Sequence, residues 1–539
     1  NGNLIDLSSE EVDSTTLAMM FYSIANLSLV NNSFKQSERT SDQPNSVITS
    51  YNIGFKISNL SFWENALNVT SFVELTGEMA TIVIANSSFV GSSNLTTTSL
   101  FYKNQMDFNQ NPMVDPDNSR YVPNFGSFCL LGNTFRETWR LFDGSTGFSL
   151  NVANFFIHNN SYYSTLLEAQ SFFGVSNIIP LVDSNKPMKI LLSQGQNPKR
   201  IVDPYLQDLL LLNLFEKAIF ENAQADENKT ISCVFSFSGN ELYNVGMISD
   251  SLLQISTSIP GTLLDVSNNI LVGITSLRKS PNTDYSNIFD LSLSSHLYFG
   301  SNIMSNTWGK STTDLRLVKI GEGSSDQSDV LIFNNTFEQN YFISFIDAAI
   351  CSTLLLNISE NKIKNCKFQG SPAVHLDFKL GASHVLFLQN SFETNIVFTY
   401  GLKQAGLIVF EAQESALVSV IFEENSIIKN SFASNGINPL SLAYKNSLFY
   451  FMNLNSGVTV KNSTFLLNTA DTNIYFVVIF SPVVMIDSLN MTSQGSTLDV
   501  SVKRPGATAY ISTQNLTVMN SVFKSNAAQI GAGFVLDSL

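Results

Sequence analysis

The chain is poor in the residues that usually carry chemistry. Its 539 residues include four cysteines, four histidines and three tryptophans, and only 14% of them are charged. No run of about 18 apolar residues occurs, so no transmembrane helix is expected. The four cysteines, Cys129, Cys233, Cys351 and Cys366, lack the two-to-four-residue pairing that a structural metal site needs. Basic residues number 29 against 44 acidic ones, a formal net charge of −15, which argues against nucleic acid or an anionic membrane as partner. Phosphate-cradling glycine loops and serine-nucleophile elbows are also absent.

What the chain has instead is a repeated phrase. It reads Asn335-Thr-Phe337-Glu-Gln-Asn340, Asn390-Ser-Phe392-Glu-Thr-Asn395, Asn430-Ser-Phe432-Ala-Ser-Asn435, Asn462-Ser-Thr-Phe465-Leu-Leu-Asn468 and Asn520-Ser-Val-Phe523-Lys-Ser-Asn526. Looser copies stand at Asn86-Ser-Ser-Phe89 and Asn133-Thr-Phe135. Self-similarity at about 20–50 residues marks a stacked-repeat architecture. The spacings are too short and uneven for paired helices. Each copy also follows a β-branched or leucine-rich run, such as Thr81-Ile-Val-Ile-Ala85 or His384-Val-Leu-Phe-Leu388. The pattern predicts an all-β solenoid, a parallel β-helix of roughly 14–18 coils stacked about 4.8 Å apart. Phenylalanine would fill each coil, and asparagine, which tolerates left-handed backbone angles, would turn its corner. Of the 42 phenylalanines, the ladder positions are Phe337, Phe392, Phe432, Phe465 and Phe523, with Asn340, Asn395, Asn435, Asn468 and Asn526 beside them.

The copy that runs on through Ala-Ala-Gln-Ile-Gly531-Ala-Gly533-Phe resembles the repeat of right-handed β-helix surface proteins of the pectin-lyase-like superfamily, including polymorphic membrane proteins and large ciliate surface proteins. The resemblance implies a right-handed coil and specifies no activity, since one fold hosts many functions. It covers residues 1–175 and 326–539, the latter set of coils continuing past the end of the sequence. Between 176 and 325 the phrase disappears, and irregular coils with a partly helical insertion are expected. The helix is placed near 203–222, with Asp203 as N-cap, Pro204 in the first turn and apolar residues at Leu206, Leu210, Phe215, Ala218 and Ile219.

Thirteen glycosylation sequons occur, at Asn26, Asn31, Asn59, Asn68, Asn86, Asn94, Asn159, Asn228, Asn334, Asn357, Asn462, Asn490 and Asn515. A chain this rich in Asn, Ser and Thr yields about eleven by chance. The count therefore decides nothing, although several sequons fall where a coil would turn and point a glycan outward. Cys351 and Cys366, fifteen positions apart, could bridge across one coil, leaving Cys129 to pair with Cys233. The alternative for each is a buried free thiol.

Candidate chemistry is sparse. Asp115-Pro-Asp117-Asn118-Ser119-Arg120 has alternating oxygen ligands but lacks the glycine and distal glutamate of a calcium loop, and reads as an Asp-Pro turn. His375-Leu-Asp377 puts an imidazole and a carboxylate on one strand face, with His384 nearby. His158 and His296 have no partner at ligand spacing. The glycosidase motifs of the resembling superfamily, paired Asp-Asp with Gly-His-Gly and Arg-Ile-Lys, are missing. Trp63, Trp139 and Trp308 are too scattered in sequence to form an aromatic row.

The expectation is a non-enzymatic extracellular structural protein, a rigid rod of a cell-surface coat, appendage or fibre. It would need no catalytic residue, metal or cofactor, would carry N-glycans, and would contact other copies or neighbouring structural proteins through its rod ends. The alternatives are a polysaccharide-binding adhesin or a carbohydrate-active lyase or hydrolase on the same fold, and an intracellular filament component.

Overall fold

A computed structural model describes the strands, and many of the turns between them, within residues 4–163 and 233–537; residues 164–232 and several longer connections lie outside the described residues. Among the described residues every regular element is a strand, and every strand pairing is parallel. The protein is an all-β, right-handed parallel β-helix. It divides into two compact units, one formed by 1–163, 172–240 and 256–265, the other by 164–171, 241–255 and 266–539.

In the first unit each coil has three faces. A back face runs from Met19–Tyr22 to Arg140–Asp143, a long face from Asn26–Val30 to Cys233–Ser238, and a short face from Leu4–Leu7 to Ser161–Tyr163. In the second unit a coil reads, in chain order, back face, long face, short face and a fourth, side face, as in Asp314–Gly321, Ser328–Phe333 and Thr336–Glu338. Ten short-face strands, from Glu241–Tyr243 to Val522–Lys524, stack there in unbroken register.

Inward positions line up from coil to coil. Phe89, Phe135 and Tyr162 form one column in the first unit, with the Phe89 and Phe135 rings stacked at 4.9 Å. In the second unit Met304, Phe337, Ile363, Phe392, Ile427, Phe465 and Met491 form the equivalent column. Phe387 and Phe422 stack at 5.2 Å across two long-face strands. These side chains are at most 2% exposed, and full burial of each contributes about 1.5–3 kcal/mol.

The two corners around each short strand explain the repeated phrase. The residue before each inward ladder position takes a left-handed backbone angle: Asn334 (φ 52), Glu360 (φ 57), Gln389 (φ 55) and Glu424 (φ 56) at the first corner, Gln339 (φ 56), Asn365 (φ 55), Thr394 (φ 56) and Lys429 (φ 56) at the second. The inward asparagine therefore does not itself turn the corner, which corrects the expectation that asparagines such as Asn340 and Asn395 do so; the residue before it turns. The inward asparagine supplies hydrogen bonds. Asn361 is fully buried: its Nδ2 donates to the Ile332 carbonyl (3.0 Å) and to Asn390 Oδ1 (3.0 Å), while its Oδ1 accepts the backbone N–H of Asn335 (3.1 Å) and the Asn335 Nδ2 (2.9 Å). Both donors and both lone pairs are therefore used.

One such ladder runs through Asn269, Asn302, Asn335, Asn361, Asn390 and Asn425 to Ser463. A second, five positions further along each coil, runs through Thr307 and Asn340 and from Cys366 through Asn395, Asn430, Asn468 and Gln494 to Asn526. The first unit has its own ladder through Ser87, Asn133, Asn160 and Asn240.

Register corrects one copy of the phrase. Phe392 pairs with Ile427, not Phe432; Phe432 follows the second-ladder Asn430 and belongs to the side face. The matching coil reads Asn425-Ser-Ile427-Ile-Lys-Asn430, where isoleucine hides the repeat. Asn435 and the helix near 203–222 lie outside the described residues. The interruption expected up to 325 is shorter than that: residues 233–321 carry strands in regular register. They escape notice because Leu242, Leu271 and Met304 replace phenylalanine at the inward position.

The ladder makes a quantitative prediction. Asn361→Leu leaves the Asn335 N–H and the Ile332 carbonyl buried without partners, and should lower unfolding stability by about 2–4 kcal/mol. Thr459→Val, on an exterior position of the long face, should change it by under about 0.5 kcal/mol. Urea titration of both variants checks the difference.

Candidate functional site

The back face of the second unit carries a chain of charged side chains across four coils. Arg316 Nε lies 2.7 Å from Asp347 Oδ2, Asp347 Oδ1 lies 2.9 Å from His375 Nδ1, and His375 Nε2 lies 3.8 Å from Glu411 Oε2. Lys319 and Asp290 extend the row, 3.5 Å apart. Parallel register produces this arrangement, because Asp290, Lys319, Asp347 and His375 are successive members of one column. The column continues with Val409, Tyr450, Val478 and Tyr510, so the charged row gives way to a buried cluster that also includes Tyr475.

Burial alone would lower the His375 pKa, but hydrogen bonds to Asp347 and Glu411 and their negative charge outweigh it and raise it to about 9. Burial would raise Asp347, yet the His375 hydrogen bond and the charges of Arg316, His375 and Lys319 bring it below the usual carboxylate value. Burial and the Glu411 charge push the Tyr450 phenol up. At neutral pH His375 is an imidazolium clamped by two carboxylates. It has no lone pair to act as a base, and the row is an electrostatic strut across coils. Asp377, expected as its partner, instead pairs with Lys379.

A second cluster lies in the first unit. His158 Nε2 is 2.8 Å from Ser236 Oγ, which donates to Asp265 Oδ2 at 2.7 Å. The serine proton goes to the carboxylate, so His158 Nε2 carries the hydrogen that Ser236 accepts. All three residues are buried, and burial lowers the His158 pKa to about 4, leaving the ring neutral. Serine occupies the middle of this trio, so the histidine is not positioned as a serine base oriented by a carboxylate. Sequence spacing missed this trio because 78 residues separate His158 from Ser236. Only the coil register brings them together.

Other expected positions are placed as follows. Cys129 and Cys366 are free, buried thiols, so the Cys351–Cys366 and Cys129–Cys233 bridges are not formed. The reason is visible at Cys366: it occupies an inward ladder position, its backbone N–H donates to Asn395 Oδ1 (2.9 Å), and its Sγ reaches the carbonyls of Lys364 (3.2 Å) and Phe337 (3.4 Å). Cys351 lies outside the described residues, as do Asp115–Arg120 and Trp139. The side chains of Cys233, Trp63 and His296 are outside them too. His384 Nδ1 meets Ser419 Oγ at 2.6 Å on an exposed surface.

Among the sequons, Asn31, Asn86, Asn159, Asn334 and Asn462 hold the left-handed first-corner position, and all five are exposed. Asn515 is exposed, while Asn490 and Asn357 are half-buried. Asn357 lies mid-strand, with its Oδ1 buried. Asn94 and Asn228 lie outside the described residues, as do the side chains of Asn26, Asn59 and Asn68. Among the described residues no group of three or more His, Cys, Asp or Glu side chains is placed to hold a metal ion.

No protein-family model matches the chain, and no curated protein matches it. Among solved structures it is similar to a Yersinia enterocolitica family 28 exopolygalacturonase, at 10% identity and a TM-score of 0.18, covering 92% of this chain and 73% of the other.

Two measurements check the local chemistry. Because the His375 pKa is raised on folding, its contribution is complete below about pH 6.5 and is lost as pH rises through about 9. The loss is at most about 3 kcal/mol, and smaller for solvent-screened side chains. Wild-type stability should fall over that interval, and His375→Gln should flatten the profile. Burial pushes the Cys129 and Cys366 thiols up to about 12, so native protein at pH 8 should resist iodoacetamide at both positions and react after denaturation.

Proposed function

We propose that the protein is a non-enzymatic extracellular structural element, a β-helical scaffold of a surface coat, appendage or fibre. The observation that carries this reading is the pair of side-chain ladders beside ten consecutive short-face strands in the second unit. They commit the interior to coil-to-coil bonding, which makes the stack stiff. The charged back-face row fits the same reading, because the His375 imidazolium ties the coils of Asp347 and Glu411 together.

The exposed corner asparagines are the positions where the fold carries N-glycans without disturbing the interior.

Intact-glycopeptide mass spectrometry and immunogold electron microscopy of the protein in its native setting test the reading. Glycans at Asn86, Asn159, Asn334 and Asn462, with label on an external coat or fibre, are expected. Bare asparagines with label inside the cell would overturn it in favour of an intracellular filament.

A further inference from the structure

The side face of the second unit carries one outward residue per coil in a single column: Gly246, Thr275, Trp308, Tyr341 and Lys367. Main-chain hydrogen bonds fix each ring-bearing coil to the one before, Trp308 N–H to the Ile274 carbonyl (3.1 Å), Tyr341 N–H to that of Thr307 (2.9 Å) and Lys367 N–H to that of Asn340 (2.8 Å). The Trp308 and Tyr341 rings lie 4.6 Å apart, close to the coil spacing, and Lys367 Nζ sits 5.0 Å from the Tyr341 ring centre. Tyr341 is therefore held between an indole and an ammonium group, a cation–π arrangement. Trp308 has one face covered by Tyr341 and is still 54% exposed. Towards the preceding coils the column holds only Thr275 and then Gly246, which has no side chain. The indole thus projects as a shelf beyond Thr275, whose short side chain stands where another ring would continue the stack.

We propose that this shelf is a carbohydrate-binding site that receives one pyranose ring on the free face of Trp308. A pyranose presents an apolar C–H face to an aromatic ring and hydroxyls around its edge. The shelf matches both properties, because its floor is indole and the half-buried Thr275 beside it carries a hydroxyl where a docking protein would want an aliphatic side chain. The backbone of the stacked coils pre-orders the indole, so little conformational entropy is lost on binding. The site is separate from the coil stacking argued above and goes beyond that structural role.

The test is titration of the whole chain with chitotetraose, cellotetraose and mannotetraose, followed by tryptophan emission and saturation-transfer NMR. At least one oligomer should give a saturable emission change. Trp308→Ala should weaken it tenfold or more. Thr275→Phe should do the same while keeping Trp308, because its larger ring would cover the free indole face; unchanged strand circular dichroism and melting temperature separate lost binding from lost fold. No response to any oligomer, unweakened binding by both variants, or binding of a tryptophan-containing peptide in place of the sugars would each overturn the proposal.

Discussion

The structure rests on how a parallel coil turns a sharp corner without abandoning a buried peptide group. A left-handed residue swings the chain between strands, and at the next residue the main-chain ladder is broken: the Asn335 N–H and the Ile332 carbonyl face no main-chain partner in register. The primary amide of Asn361 supplies both, accepting from the first and donating to the second. It does what a peptide bond would have done, and because its remaining hydrogen and lone pair go to neighbouring ladder asparagines, each coil fixes the height and rotation of the next. Ser463 keeps part of the pattern with a shorter side chain, accepting the Asn425 N–H at 3.2 Å and turning its own proton back to the Lys461 carbonyl at 2.7 Å. Cys366 and Thr307 keep less, each offering its backbone N–H to the next asparagine. The ladder thus tolerates a non-amide within a run, as at Cys366 between Asn340 and Asn395.

The same register that builds the interior writes patterns on the outside. Residues far apart in sequence become neighbours if they share a column, as Asp290, Lys319, Asp347 and His375 do on the back face, and as Trp308 and Tyr341 do on the side face. An outward column stands apart from the coil interior, so it can become a salt-bridge row, an aromatic stack, a buried cluster or a run of small polar residues without altering the inward column. A scaffold of this kind separates stability from surface identity.

The fold was legible in the sequence because the interior demands two residue types at fixed offsets. Asn335, Phe337 and Asn340 state the rule openly, and the rule alone implies stacked parallel coils. It became illegible where an equally good apolar side chain took the inward place, as at Ile427, Leu242 and Met304, since those residues carry no signal outside their register. The division of labour between Asn334 and Asn335 was also hidden, because asparagine is chemically suited to both the left-handed corner and the amide ladder. The side-chain clusters could not be read at all. Their members, such as His158, Ser236 and Asp265, become adjacent only once the length of every intervening coil is known, and those lengths vary.

That variation is confined in a telling way. Successive steps of the first ladder span 33, 26, 29, 35 and 38 residues, and the second repeats 29, 35 and 38 over the same coils. The segment between the two ladders never changes length, so every insertion or deletion falls on the remaining faces and their connections. The cornered edge is a ruler of constant pitch, and the opposite side is free to lengthen. Duplication, slippage or recombination within the repeats would therefore diversify one flank of the molecule while leaving its spine in frame.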